Sequence, residues 1–257
     1  LGRMRKFLFT RGDLVLLASF SAATLALWLV DLLFTQDSGF LPVALAILIA
    51  CFLIVVRRRD RNEYLKRVRD DYVQLEWALK LQTLVHTRLP LPPTREGAAS
   101  PDLLALLYSE ITRRRPHNVL ECGSGVSTLW IAYILENIGE GRLITLEHDR
   151  VWAMKVADWI ETHQLQQWAE VIYAPLQPVT LGSTSFTWYA MDAVSDRISR
   201  SEPIDLLFVD GPPGYRDPQA RRPAIPLLQP FLTNQCTVIL DDCTRPGERQ
   251  IALQWAS

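Results

Sequence analysis

Val119-Leu120-Glu121-Cys122-Gly123-Ser124-Gly125-Val126-Ser127-Thr128 decides how this chain is read. An apolar run gives way to two glycines and then to helical spacing, which predicts a strand, a tight turn and a helix. Glycines let the backbone approach a ligand, and a helix N-terminus offers unpaired N–H groups to an anion. The next apolar run, Arg142–Glu147, ends in a carboxylate 22 residues beyond Gly125. At that spacing a carboxylate can accept both hydroxyls of a ribose. Together these features predict a site for a nucleoside-containing cofactor, without saying which one.

Outward from this turn, short apolar strands alternate with helices. Strands are expected at Asn118–Cys122, Arg142–Glu147, Glu170–Ala174, Ile204–Asp210 and Thr237–Asp241, and helices at Ser127–Asn137, Arg150–His163 and Pro246–Ala256. Such alternation predicts an α/β domain with a mostly parallel sheet covered on both faces. Ser100-Pro101-Asp102 reads as a helix start, with Ser as N-cap and Pro at the first helical position. Leu103, Leu104, Leu107 and Ile111 then mark one apolar face.

A nicotinamide site is the rival reading of the glycine turn. Three details count against it: Thr128 stands where the dinucleotide fingerprint wants a third glycine, Glu121 puts a carboxylate just ahead of the turn, and no Ser-Tyr-Lys or His-Asp set for hydride chemistry stands out. A carboxylate there is poor company for a pyrophosphate but suits an ammonium group.

At this point the chain resembles the class I S-adenosylmethionine-dependent methyltransferases. Glu121–Ser127 looks like their first motif, Glu147-His148-Asp149 like the acidic end of their second strand, Ile204–Gly214 like their fourth-strand motif and Val238–Asp242 like their fifth. The likeness covers about residues 100 to 251, with all four motifs in order. It implies a Rossmann-like, doubly wound sheet and S-adenosylmethionine as cofactor. It also implies roles. Gly123 and Gly125, with Ser124 between them, would let the backbone pass close to the methionine part. Ser127 would bond its carboxylate, and Glu121 would face its ammonium group. Glu147 would hold the ribose, His148 would lie under the adenine and Ala174 would border that ring. The resemblance further implies two more strands after the helix that follows strand five. The sequence stops at Ser257 inside that helix and begins with Leu1 ahead of Met4, which reads as a fragment.

Asp210, Asp241 and Asp242 fall at carboxyl ends of expected parallel strands, where the crevice of an open α/β sheet lies. Strands four and five are neighbours in the family's sheet, so the three carboxylates are expected to converge. Hard oxygen ligands in that number suit Mg²⁺ or another divalent cation. This resembles the metal-dependent O-methyltransferases, although Asp242 stands where an amide is usual and Pro213 where a lysine base often sits. If the acceptor is a hydroxyl, Asp210 and Asp241 are the candidate bases, and Asp210 also borders the cofactor. Trp188 and Tyr189 are candidates for walling an acceptor pocket, and Tyr215, Arg216, Arg221 and Arg222 for meeting an anionic or sugar acceptor.

The front of the chain differs. Residues 14–34 carry one charge, Asp31, and residues 40–56 carry none. The five residues between, Thr35-Gln36-Asp37-Ser38-Gly39, hold no Lys or Arg, whereas Arg3, Arg5, Lys6 and Arg11 precede the first run and Arg57-Arg58-Arg59 opens a basic stretch after the second. This predicts a transmembrane hairpin over residues 1–56, with both termini in the cytoplasm of a bacterial-type inner (plasma) membrane. Residues 57–99 are then a connecting amphipathic helix and a Pro-rich linker, and 100–257 the catalytic domain. Leu65, Val68, Tyr72, Leu75 and Leu79 form a short heptad stripe along that helix. The stripe predicts either a homodimer contact through residues 65–79 or packing on the chain's own domain.

A formal net charge of −1 excludes a protein held mainly by nucleic-acid phosphates. The four cysteines show no ligand spacing and suit a reducing compartment. The expected function is O-methylation of an acceptor near the bilayer, such as a glycan or lipid-linked precursor. Its rivals are an inactive methyltransferase-like membrane scaffold and, behind it, a nicotinamide oxidoreductase.

Overall fold

The computed structural model describes residues 22, 25, 29, 40–94, 97–199, 202–214 and 217–256. The chain divides into two compact units, Leu1–Val73 and Gln74–Ser257. Helix α1 (Phe40–Leu84) is continuous for 45 residues. It runs from the second apolar stretch, 40–56, into the segment read as a connecting helix. No Gly and no Pro after Pro42 interrupts the backbone ladder, and a change from apolar to basic side chains does not break a helix.

Among the described residues, no helix is long and apolar enough to cross a membrane. The expected second span gives out at Arg57 after 17 residues, about 25 Å of helix against a bilayer core of about 30 Å. The expected first span, 14–34, lies outside the described residues apart from Ala22, Leu25 and Leu29.

In the second unit, α2 (Pro101–Arg114) starts at Ser100 and buries Leu104, Leu107 and Ile111, as its spacing predicts. Then come β1 (Asn118–Cys122), α3 (Val126–Ile138), β2 (Arg142–Glu147), α4 (Arg150–Thr162) and β3 (Ala169–Tyr173). A hairpin of β4 (Leu176–Leu181) and β5 (Thr184–Tyr189) follows, then α5 (Asp192–Ser199), β6 (Ile204–Val209), α6 (Ala224–Leu228), β7 (Leu232–Leu240) and α7 (Pro246–Trp255). The hairpin, α5 and α6 were not anticipated. The sheet order is β3-β2-β1-β6-β7 with every pair parallel. This is the expected Rossmann-like α/β architecture, and the order reverses at β1.

Alternate residues of each strand serve opposite faces. Val119, Leu206 and Phe208 join α2, α3 and α4 in one core, while Leu120, Cys122, Leu207 and Val209 join the hairpin, α5 and α6 in the other. Both faces are therefore apolar, as a parallel sheet requires. The same parity puts Glu121 on the α3 face, beside Val119.

Candidate active site

The strand ends are tied in a row. Ala174 N–H donates to the Glu147 carbonyl (2.7 Å), Gly123 N–H to Leu146 (2.9 Å), Asp210 N–H to Cys122 (2.9 Å) and Asp241 N–H to Val209 (3.0 Å). Glu147, the glycine turn, Asp210 and Asp241 thus stand along one edge, at the carboxyl ends of β2, β1, β6 and β7. The crevice beside the reversal point, between β1 and β6, is where open α/β sheets hold ligands.

The two glycines of the turn have different jobs. Gly123 has φ +96, and a Cβ there would lie 3.0 Å from Gly211 N and 3.2 Å from the Asp210 carbonyl carbon. It allows two backbones to touch. Gly125 has extended backbone and a Cβ there would meet nothing within 4 Å. Its open side is a place for a ligand to lie close to the main chain.

Glu147 has a side chain only 4% exposed. Its Oε2 accepts from Ser124 N (3.1 Å) and Ser124 Oγ (2.7 Å), and its Oε1 from His148 N (2.8 Å) and Asp149 N (2.9 Å). Burial alone would raise its pKa, but hydrogen bonds from His148, Asp149 and Ser124 outweigh that and hold it below the ordinary value. The result is an ionised acceptor beside the turn, from which the Ser124 hydroxyl can rotate away when a ribose arrives. His148 lies next to Glu147, with its ring 6.5 Å from that of Tyr189. Ala174 is fully buried at the end of β3.

Glu121 and Ser127 depart from expectation. Glu121 is 0% exposed, and its two oxygens accept from Ser127 Oγ (2.5 Å) and Thr128 Oγ1 (2.6 Å). Burial pushes its carboxyl up to about 7. The strand's parity explains this: the side chain points under the first turn of α3 rather than out toward a ligand. Ser127 is turned to Glu121, so at this position only the helix's backbone N–H groups remain for a carboxylate. Thr128, read as a missing glycine, also accepts from Gly125 N (3.0 Å) and so ties the turn to the helix.

On the other side of the crevice, carboxylate oxygens of Asp210, Asp241 and Asp242 lie within 4.8 Å of one another, as the motifs predict. Asp210 and Asp241 share a hydrogen bond, and both carboxyls are raised, by burial first and then by neighbouring carboxylates. The pair therefore retains a proton where a lone aspartate would not. The cluster is not a bare set of oxygens. Arg221, 3% exposed, places Nη2 at 3.0 Å from Asp210 Oδ1 and 3.1 Å from Asp242 Oδ2. The same nitrogen donates to the Asp210 carbonyl (2.6 Å), and Nη1 donates to the Asp241 carbonyl (3.1 Å). Arg245 Nη1 stands 2.6 Å from Asp242 Oδ2.

Sequence reading groups Arg221 with Tyr215, Arg216 and Arg222 as loop residues for an anionic or sugar acceptor. Only the fold of the segment between β6 and α6 turns it inward, and no spacing signals that. Arg222 instead lies over the Phe186 ring at 5.4 Å, and Tyr215 and Arg216 lie outside the described residues. Trp188 and Tyr189 are fully buried in the second core and do not wall an open pocket. Tyr189 Oη has no hydrogen-bond partner among the described residues, and it would lie 2.3 Å from a Cβ on Gly211.

Residues 120–243 match the family model described as a methyltransferase domain. No curated protein matches the chain. Solved structures with a similar fold include the O-methyltransferase TomG of Streptomyces achromogenes, 21% identical with a TM-score of 0.46 over 62% of this chain and 70% of that one. An O-methyltransferase of Bacillus cereus is 21% identical, with a TM-score of 0.46 over 71% and 78%. The methyltransferase PaMTH1 of Podospora anserina is 15% identical, with a TM-score of 0.48 over 76% and 86%. The family match and the four motifs at the strand ends agree that residues 120–243 are a methyltransferase domain.

Proposed function

We propose that the enzyme methylates a hydroxyl acceptor, and that S-adenosylmethionine binds across the carboxyl ends of β1 and β2. The observation that carries this reading is the side-by-side placing of ionised Glu147, the open Gly125 and the proton-retaining pair of Asp210 and Asp241. Bound there, the cofactor would supply an electrophilic methyl group on a sulfonium. Glu147 takes the ribose hydroxyls, and Gly125 and the first N–H groups of α3 lie against the methionine end. Across the crevice, the carboxylate of the Asp210–Asp241 pair that lacks the proton accepts the one leaving the acceptor oxygen. Burial, which raises both carboxyls, favours the uptake of that proton. The rest of the rate is positioning.

The same proposal places the enzyme at the inner face of a bacterial-type plasma membrane, acting on a glycan or lipid-linked precursor. It is supported by the two apolar runs, by the Arg and Lys flanking them, and by the exposed Phe52, Leu53 and Ile54 of α1. A homodimer contact along the stripe of Leu65, Val68, Tyr72, Leu75 and Leu79 belongs to the same proposal, supported by their heptad spacing.

Calorimetric titration of the full chain with S-adenosylhomocysteine tests the cofactor site. Saturable binding that falls at least ~100-fold in Glu147→Ala is expected, from the loss of two hydrogen bonds to a charged group. Failure of the folded wild-type protein to bind would refute the reading. Activity of detergent-released enzyme on small soluble phenols alone would refute the membrane-proximal acceptor.

A further inference from the structure

Carboxylates of Asp210, Asp241 and Asp242 come together at the ends of β6 and β7 as the ligands of a divalent ion would, yet the residues present do not fit one. Mg²⁺ or Ca²⁺ bonds its oxygens at about 2.0–2.6 Å. Here one nitrogen of Arg221 already bridges Asp210 Oδ1 and Asp242 Oδ2, at 3.0 and 3.1 Å. An ion held by those two oxygens would stand beside a guanidinium, which cannot give up its charge, and would compete with it for the same lone pairs. A second cation, Arg245, holds Asp242 from the outside at 2.6 Å.

Arg221 cannot easily swing away. Its side chain is 4% exposed, and it also donates to the carbonyls of Asp210 and Asp241 at the two strand ends. Moving it would leave a buried charge and two carbonyls unpaired, which costs several kcal/mol.

We propose that Arg221 is the resident cation of this cluster: it takes the place of a divalent ion, holds Asp210 and Asp242 in position, and leaves the enzyme to act without a metal. Arg221 is then a positioning residue, acting through the aspartates. The inference rests on the crevice being the methyl-transfer site, but its test does not depend on activity.

The experiment is titration of the EDTA-stripped full chain with Mn²⁺, reading free ion by electron paramagnetic resonance, with S-adenosylhomocysteine calorimetry run separately on each variant. Wild type is expected to show no saturable site up to about 1 mM, the weak end for hard-cation sites. Arg221→Gln is expected to gain one Mn²⁺ per chain, at least 10-fold tighter than any binding by wild type, and to lose it again when Asp242→Asn is added. Arg221→Lys, which keeps the charge, is expected to gain nothing. A saturable wild-type site that Asp242→Asn abolishes would overturn the proposal, as would a folded Arg221→Gln that gains none. Should Arg221→Gln fail to fold, the wild-type titration still decides between a metal-holding and a metal-excluding cluster. Loss of cofactor binding by wild type would strike the assigned function and leave this result standing.

Discussion

Replacing Gly123 and Gly125 by alanine, one at a time, separates two roles that look identical in the sequence. At Gly123 the backbone has φ +96, and an added Cβ would press on Gly211 N at 3.0 Å, Gly211 Cα at 3.1 Å and the Asp210 carbonyl carbon at 3.2 Å. A side chain in that conformation costs about 1–3 kcal/mol, and overpacking against backbone that cannot rotate away adds about 1–3 kcal/mol. Gly123→Ala is therefore expected to lose about 2–6 kcal/mol, which lowers Tm by roughly 5–15 °C in a unit of this size. At Gly125 the backbone is extended and the Cβ meets nothing, so Gly125→Ala should cost under about 1 kcal/mol, the difference between Gly and Ala at a helix N-cap. Its effect should fall on the ligand, as weaker S-adenosylhomocysteine binding at near-unchanged stability. Urea unfolding and calorimetry on both variants measure this. A Gly123→Ala protein as stable as wild type, or a Gly125→Ala protein that binds normally, would refute the reasoning.

Three further outcomes are expected. Glu121 has its carboxyl raised from the ordinary 4.5 to about 7, so its contribution is full below pH 4.5 and is lost as the pH rises through 7. Wild type should lose about 3 kcal/mol across that window, and Glu121→Gln should flatten the profile in pH-dependent urea melts. Arg88 ties the segment after α1 to α3 and α4 through Glu136 Oε2 (2.7 Å) and the His163 carbonyl (2.6 Å). Arg88→Ala should destabilise by about 1–3 kcal/mol, read by the same melts, with cofactor affinity unchanged. Leu65→Glu with Tyr72→Glu should turn a dimer into a monomer by sedimentation in detergent; an unchanged mass would remove residues 65–79 as the contact.

Local pattern was enough for the skeleton. Each strand of the parallel sheet was read from a short apolar run, and α2 from its Ser-Pro start and its spacing, because such elements are written in neighbouring residues. The β4–β5 hairpin was not legible. Half of it faces solvent, and the alternation of its strands is weak without knowing what Phe186, Trp188 and Tyr189 pack against.

Within the site, the sequence by itself determined which chemistry sits at which strand end: a glycine turn after β1, a carboxylate closing β2, and three aspartates closing β6 and β7. Those positions follow from residue order once strands are parallel. Only the tertiary structure decided where the charges point. Strand parity turned Glu121 under α3 to meet Ser127 and Thr128, and the fold of the segment after β6 brought Arg221 into the aspartates. Electrostatic partners are set by distances of a few ångströms between residues remote in the chain, such as Arg221 and Asp242 at 3.1 Å. No spacing along the sequence encodes such a distance; packing does.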